Sequence, residues 1–545
     1  MKERLVLTLT VTVGGVAHTV TGGSIRGLSL AMTSHGVEGS VSFLVQDDTA
    51  RGGQHKDELL ADFVKPDLGT VSLTIAAGHW DATTDASLPS IAAGGLIVEK
   101  SVSEHEFTRQ LDAASVLFRT YAVRFADPAS VLWRQHFPCD LLVQKTMKDV
   151  LEKHKGSNVT LTYDWDPLTA ARPLVFFDLD PDRGASFHDF VIWFLSTYEG
   201  VLTLDHAKGS YAITGAKDAS GTAATLTRDD VATLTNRLPE PPRHTPRVVN
   251  SNTESASQRV VTNAQAADSV FRDVLVRTAV AQEVDDRVTL ETSRPLLPLR
   301  ELEIGFARFP TVAVVPGSLL DVSAKGAFSS GMLASTEPWR VYRLTVEATA
   351  VDAGPEKDVG EEATGFELAV TARLESQSDA TPRLPPFQPP WYPGFLEGKV
   401  VSEVGEATDV TYQFTQDETT NLNVYKVKIP LFDAQIVTAP FEPQQGSGMF
   451  YIPIYKDARV VVALDFDRAR VERLLDWRPG AQVPLDGQGQ QLLLGKSAQS
   501  NTSVLHDYES DKPVFQILRT NAKDTALIHL EEGLMRLVVQ ETAGE

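Results

Sequence analysis

Four aspartates in FFDLDPDRGASFHD stand at intervals from which a cation loop could be built. Asp178, Asp180 and Asp182 alternate, and Asp189 lies eleven residues after Asp178. Calcium loops of the EF-hand type draw carboxylates from such spacings. Here Arg183 stands where that loop needs glycine, Pro181 stiffens it, and the twelfth residue is Asp rather than Glu. The segment reads as a solvated loop that feeds a helix cap. Ser24 in GGSIRG suggests a nucleophile elbow, but Arg26 replaces the final glycine of G-x-S-x-G. His18, His35, His55, His79, His105 and His136 are scattered, and no H-E-x-x-H, P-loop or G-x-G-x-x-G is present. The single cysteine, Cys139, excludes a disulfide framework or a cysteine-based zinc site within the chain and reads as a small buried hydrophobe. Phe190, Trp193 and Phe194 could line a ligand pocket, though core packing accounts for them. No catalytic residue, cofactor site or metal site follows from these motifs, and the expectation is a protein that is not an enzyme.

The elements around these residues define the class. The chain has 545 residues, 42% hydrophobic and 22% charged, enough for several domains with cores of their own. Lys plus Arg is 50 and Asp plus Glu is 72, so 50 − 72 gives −22. Nucleic-acid binding needs clustered cations, so an acidic chain without them argues against nucleic acid as a partner. MKERLVLTLTVTVGG begins like a signal peptide. Its Leu5, Leu7, Leu9, Val11 and Val13 share one parity and its threonines the other, which predicts a half-buried strand instead. No uncharged apolar stretch reaches the length of a transmembrane helix.

Mixed β and α patterns fill the region before Pro382. SIRGLSLAM, EGSVSFLVQ, GTVSLTIAA, GGLIVEKSVS and FRTYAVRFA are strand-like runs, as a barrel or sandwich would have. KTMKDVLEKHKG predicts a helix opened by Thr146 and Asp149 and ended by Gly156. SFHDFVIWFLSTYEG predicts a second helix, capped by Ser186 and Asp189 and ended at Gly200, which feeds the hairpin VLTLDH–SYAIT. Four prolines between Pro239 and Pro246 mark a break. SVFRDVLVR is ambiguous between strand and helix, and strand patterns return from Val288 to Thr349.

Six prolines fall between Pro382 and Pro393, a composition that favours a stiff extended spacer. After it, FLEGKVVSEV, VYKVKIPLF, GMFYIPIY and ARVVVALDF suggest a small Greek-key barrel, closed by a helical turn in DRARVERLLDW. The tail holds KPVFQILRT, TALIHLEE and LMRLVVQE, with large apolar residues on both strand parities. Three short strands cannot cover both of their own faces, so the tail needs a partner, and a copy of itself fits best.

The order of segments resembles that of the VgrG-type spike and hub proteins of contractile injection systems, which are similar to the fused hub and spike of contractile phage tails. Four stretches carry the resemblance: YAVRFADPASVLWRQHFPCDLLVQKTMKDVLEKH, SFHDFVIWFLSTYEGVLTLDHAKGSYAIT, the pair VVPGSLLDVSA and WRVYRLTVEATAV, and the proline-rich collar entering FLEGKVVSEVGE. DFDRARVERLLDW departs from the family's Asp-Pro-Asp-Arg-Pro turn.

The resemblance implies a mainly β fold with α insertions, in six parts. These are a first hub β-barrel (1–130), a helix-and-hairpin hub region (131–240), a second hub β-barrel (241–376), a collar linker (377–394), an OB-like β-barrel (395–495) and a β-helical spike tail (496–545). It implies a homotrimer that joins a hexameric inner tube to a puncturing tip and pierces a target envelope when a sheath contracts. Baseplate proteins and a PAAR-like tip protein are the implied partners, with the target membrane met only on puncture. Assembly in the bacterial cytoplasm without a signal peptide goes with it, while type VI secretion, an extracellular injection particle and a phage tail all stay open. Phe515, Ile517, Ile528, Leu530, Leu537 and Val539 are the expected trimer interface. A carbohydrate-binding or adhesive β protein is the alternative, and it would use Tyr412, Phe414, Tyr425, Phe432, Phe450 and Tyr451.

Overall fold

The computed structural model describes residues 1–49, 53–78, 88–108, 116–294, 300–322, 328, 330–333, 337–352, 354, 357–401, 415–418, 420–440, 454, 456–476, 490–497, 500–521 and 523–541. Strand outweighs helix by 53% to 13%, so the chain is mainly β. The first 130 residues form β1 (Lys2–Val13), β2 (Val16–Thr21), β3 (Ile25–Thr33), β4 (Gly36–Asp47), α1 (Leu60–Phe63), β5 (Thr70–Ala77), β6 (Ile91–Phe107), β7 (Val116–Ala126) and the start of α2 (Pro128–Leu132). Next come β8 (Cys139–Thr146), α3 (Met147–His154), β9 (Thr160–Asp164), α4 (Asp166–Thr169), β10 (Ala171–Asp178), α5 (Phe187–Tyr198), β11 (Val201–Asp205) and β12 (Ser210–Thr214). The section up to the collar contains β13 (Ala224–Thr225), β14 (Val231–Arg237), β15 (Thr245–Asn250), β16 (Ser257–Val260), β17 (Phe271–Val276), α6 (Ala281–Ser293), β18 (Glu301–Phe306), β19 (Leu319–Asp321), α7 (Ser330–Leu333), β20 (Trp339–Ala350) and β21 (Ala363–Ser376).

Two compact units emerge. One comprises 1–138, 151–170 and 179–390, and the other 139–150, 171–178 and 391–545. In the first, β1 buries Leu5, Leu7, Leu9, Val11 and Val13 and leaves its threonines at least partly exposed, as its alternation predicts. It pairs with β2, β5 and β21, so it lies inside a sheet. Strand pairing runs β20–β3–β4–β7–β6–β5–β1–β21 and returns to β20, a closed circuit. The strands that close it, β20 and β21, lie more than 200 residues after the others. Their length, 12 and 14 residues, lets one hairpin serve two ladders. Near its turn it pairs with β3 and β1. Toward its open end it pairs with β19 and β18, and the ladder continues to β13 and β14.

The two predicted helices form where the caps place them. At α5, Asp189 N–H donates to Ser186 Oγ (3.3 Å) and Ser186 N–H to Asp189 Oδ2 (2.9 Å). The left-handed residue that ends α5 is Glu199 (φ 65°), not Gly200. Gly200 serves close packing: a Cβ there would lie 2.6 Å from Leu195 and from the Trp165 ring. Two sequence readings are corrected, and one left open is resolved. Val288–Ser293 belongs to helix α6 rather than to a returning strand pattern, and α6 buries Val284 and Glu291. Phe271–Val276 is a strand, fixed by parallel pairing with β15. Cys139 is exposed at the start of β8 rather than buried.

In the second unit, β22 (Gly394–Val401), β23 (Thr415–Gln416), β24 (Asn423–Ile429), β25 (Gln435–Pro440), β26 (Arg459–Leu464) and β27 (Ala469–Asp476) form one sheet. The expected helical turn in DRARVERLLDW is instead strand β27, because antiparallel pairing with β26 buries Val471 and overrides local propensity. Val400, Tyr425, Val427, Val460 and Val462 form the core together with Leu141, Leu174 and Phe176 of the β8–β10 pair. Most of GMFYIPIY lies outside the described residues. The chain then folds β28 (Gln490–Ser497), β29 (Ser500–Glu509), β30 (Lys512–Thr520), β31 (Asp524–Glu531) and β32 (Leu534–Glu541) into an antiparallel meander. The tail sheet therefore has five strands and begins before residue 496.

Candidate functional site

The residues that suggested chemistry are occupied by local structure. Asp180 caps the 3-10 turn Pro181–Arg183 by accepting from Asp182 N–H (2.9 Å). Asp189 closes the α5 capping box and accepts from Gln388 N–H with its other oxygen (3.2 Å). Among the described residues, no group of three or more His, Cys, Asp or Glu could hold a metal ion. Ser24 Oγ lies 3.3 Å from Thr21 Oγ1 and accepts from Gly360 N–H, and its neighbours Gly22 and Gly23 lie against the backbone of 358–362. The GGSIRG turn is a close backbone crossing rather than a nucleophile elbow. Phe190 and Phe194 are buried in the core of their unit.

The aromatics proposed for a glycan groove divide the same way. Tyr425 is 1% exposed and its hydroxyl accepts from Ile454 N–H, while Phe432 is partly buried against the same core. Tyr412, Phe414, Phe450 and Tyr451 lie outside the described residues.

The tail sheet presents a different chemistry. In an antiparallel ladder, residues directly opposite one another share a face. Phe515 is opposite Leu530 and Ile517 opposite Ile528. Ile528 is in turn opposite Leu537, Leu530 opposite Met535, and Ala526 opposite Val539. All six residues expected at a trimer interface therefore lie on one face. The ladder adds members that sequence reasoning missed: Met535, and through β29 and β28 also Val504, Tyr508, Leu492 and Leu494. Leu492, Leu494 and Met535 stand among apolar residues on both strand parities, so they become members of a common face only once the register is known.

Within one chain this face has little cover. Leu537 is 66% and Val539 79% exposed, and Met535, Tyr508, Leu492 and Leu494 are also exposed. The opposite face mixes Leu505, Val514, Leu518, Leu527, Leu534 and Val538 with Ser503, Asp507, Gln516, His529 and Arg536. Thr502, His506 and Arg519 share the face of Ile517 and Ile528, and the exposed apolar patch among them is of the kind that marks an association surface.

No family model matches the chain, and no curated protein matches it in sequence. Solved structures do. A chain of the PdpA-VgrG complex, in its lidless form, superposes with a TM-score of 0.71 at 14% identity, covering 99% of each chain. The half-lidded and lidded Francisella PdpA-VgrG complexes give the same TM-score and identity, covering 99% of this chain and 88% and 80% of theirs. At that identity the likeness is one of architecture, and it extends over the whole chain: this protein has a VgrG-like fold.

Proposed function

We propose that this protein is the trimeric spike and hub of a contractile injection machine, a structural rather than catalytic component. Two features support the reading. The fold is VgrG-like over the full chain. The tail, in a single copy, leaves a face of Leu, Ile, Val and Met open to water. The second feature carries the argument, because an isolated five-stranded sheet with such a face is costly in solvent and two further copies would cover it.

In the assembly, the strand circuits of residues 1–376 form the tube-like barrels that continue a hexameric inner tube. The six-stranded sheet after the collar forms a central OB-like barrel, and three tails build the β-helical prism that leads to a PAAR-like tip. Sheath contraction drives the spike through the target envelope, so the membrane is met only on puncture. Baseplate proteins hold it before firing. VgrG forms a complex with PdpA in the neighbouring structures, and we extend to this chain the idea of a further partner within the machine. The parts assemble in a bacterial cytoplasm.

The test is mass in solution. Light scattering should give about 178 kDa, three times the 59.4 kDa chain. A stable monomer at micromolar concentration would refute the proposal.

A further inference from the structure

Three histidines gather around one carboxylate in the first unit. His35 lies in the turn between β3 and β4, His188 in the first turn of α5, and His206 in the turn between β11 and β12. Asp127, which caps α2, is within electrostatic reach of all three. Arg134 acts on His35 and His188, Asp189 on His188, and Asp205 on His206, while His35 also senses the other two imidazoles.

These groups join separate elements. His206 Nε2 donates to the Thr33 carbonyl (2.8 Å), and Leu204 N–H donates to the Ser34 carbonyl (2.7 Å). The Tyr211 hydroxyl donates to Asp127 Oδ1 (2.5 Å). The hairpin β11–β12 is thus fastened to the Thr33–Gly36 turn and to the cap of α2. His35 Nδ1 lies 3.3 Å from Thr33 Oγ1 in the same turn.

The arrangement suits neutral imidazoles. With Nε2 donating, His206 Nδ1 is a bare acceptor, buried and without a hydrogen-bond partner among the described residues. A proton there would create a buried donor with nothing to accept it. The nearby carboxylates are already engaged. Asp127 accepts from Tyr211, Ser130 N–H (2.9 Å) and Val37 N–H (3.3 Å), Asp189 closes the α5 capping box, and Asp205 pairs with Lys208 (2.8 Å). Burial is the largest influence on each histidine, and holds His35 and His188 near a pKa of about 4 and His206 below its ordinary value.

We infer that this histidine cluster is an acid-sensitive latch, which holds the β11–β12 hairpin against the Thr33–Gly36 turn and releases it when the imidazoles take up protons. Up to three positive charges would then stand beside Arg134 in a site with low capacity to solvate them. The latch gives the hub a response to an acidified compartment, and it is independent of the number of copies in the assembly.

Amide exchange of the full-length protein tests it, with rates corrected for the intrinsic effect of pH. Between pH 7.5 and pH 4.5, protection in 201–214 should fall at least about tenfold, while β5 and β6 keep theirs. The triple variant H35N/H188Q/H206Q should keep its protection at pH 4.5. If that variant does not fold, H206Q alone should shift the opening midpoint to lower pH. Unchanged protection of the native protein at pH 4.5, or opening of the variants at the native midpoint, would overturn the latch.

Discussion

Ile517 and Ile528 stand directly opposite one another across the β30–β31 ladder, and Leu537 continues the same row on β32. Ile528 and Leu537 are 37% and 66% exposed in a single chain. This row runs across the middle of the uncovered face. A charge placed there would face the neighbouring copies in the proposed trimer rather than a core within one chain.

Replacing both isoleucines with aspartate should therefore split the oligomer or fray the tail. Each lost apolar burial costs roughly 1.5–3 kcal/mol, multiplied over the copies, and two carboxylates are added. Light scattering reads the mass, and limited proteolysis reads new cleavage after residue 495. Residues 1–376 should stay folded. A variant with unchanged mass and no new cleavage would remove the tail from the interface.

Glu375 offers a test of packing in the first unit. Its carboxylate is 1% exposed and meets Lys217 at 2.7 Å, Arg383 at 2.9 Å and Arg340 at 3.2 Å. Arg383 in turn holds Glu301 at 2.7 Å and covers the Tyr342 ring, which ties the beginning of the collar to β18, β20 and β21. The variant E375A leaves buried cations uncompensated and should lose about 3–5 kcal/mol in denaturant unfolding. A loss below 1 kcal/mol would show that the cluster is not a structural tie.

Gly23 tests the close crossing beside Ser24. A Cβ at this position would lie 2.0 Å from the Asp358 carbonyl oxygen, a backbone atom that cannot swing away. G23A should lower the thermal midpoint by several degrees, an effect of about 2 kcal/mol or more. G365A is the control, since its nearest neighbour would be a Val351 methyl at an ordinary 3.6 Å. Equal effects at the two sites would contradict the crossing.

Acid stability has a defined sign. Burial holds His35 and His188 near a pKa of about 4 in the fold, against 6.5 in an unfolded chain. Between these values the unfolded chain binds more protons, so stability is complete above pH 6.5 and declines as pH falls toward 4. Asp47, Asp149 and Asp230 are held below their ordinary 3.8 by hydrogen bonds that outweigh burial, so their contribution is lost only at still lower pH. Calorimetry should show a fall in the unfolding midpoint between pH 7 and 4.5, smaller in H188Q. A flat profile over that range would contradict the burial of neutral imidazoles.

The sequence by itself determined the local elements and their buried parity. The alternation of Leu5 to Val13, the Ser186–Asp189 cap and the paired apolar residues of KPVFQILRT and LMRLVVQE are short-range patterns. Each corresponds to one strand, one helix start or one sheet face, because strand and helix periods are fixed by backbone geometry. Tertiary structure decided what those patterns were for. It brought β20 and β21 back to close the circuit begun by β1, and it carried β8 and β10 into the core around Val400. It made a strand of Ala469–Asp476, and it set the register that gathers Phe515, Ile528, Leu537 and Leu492 on one face. It also brought His35, His188 and His206, from three separate elements, within electrostatic reach of Asp127. Pairing between segments hundreds of residues apart depends on which surfaces remain uncovered after local folding, and no window of sequence contains that sum.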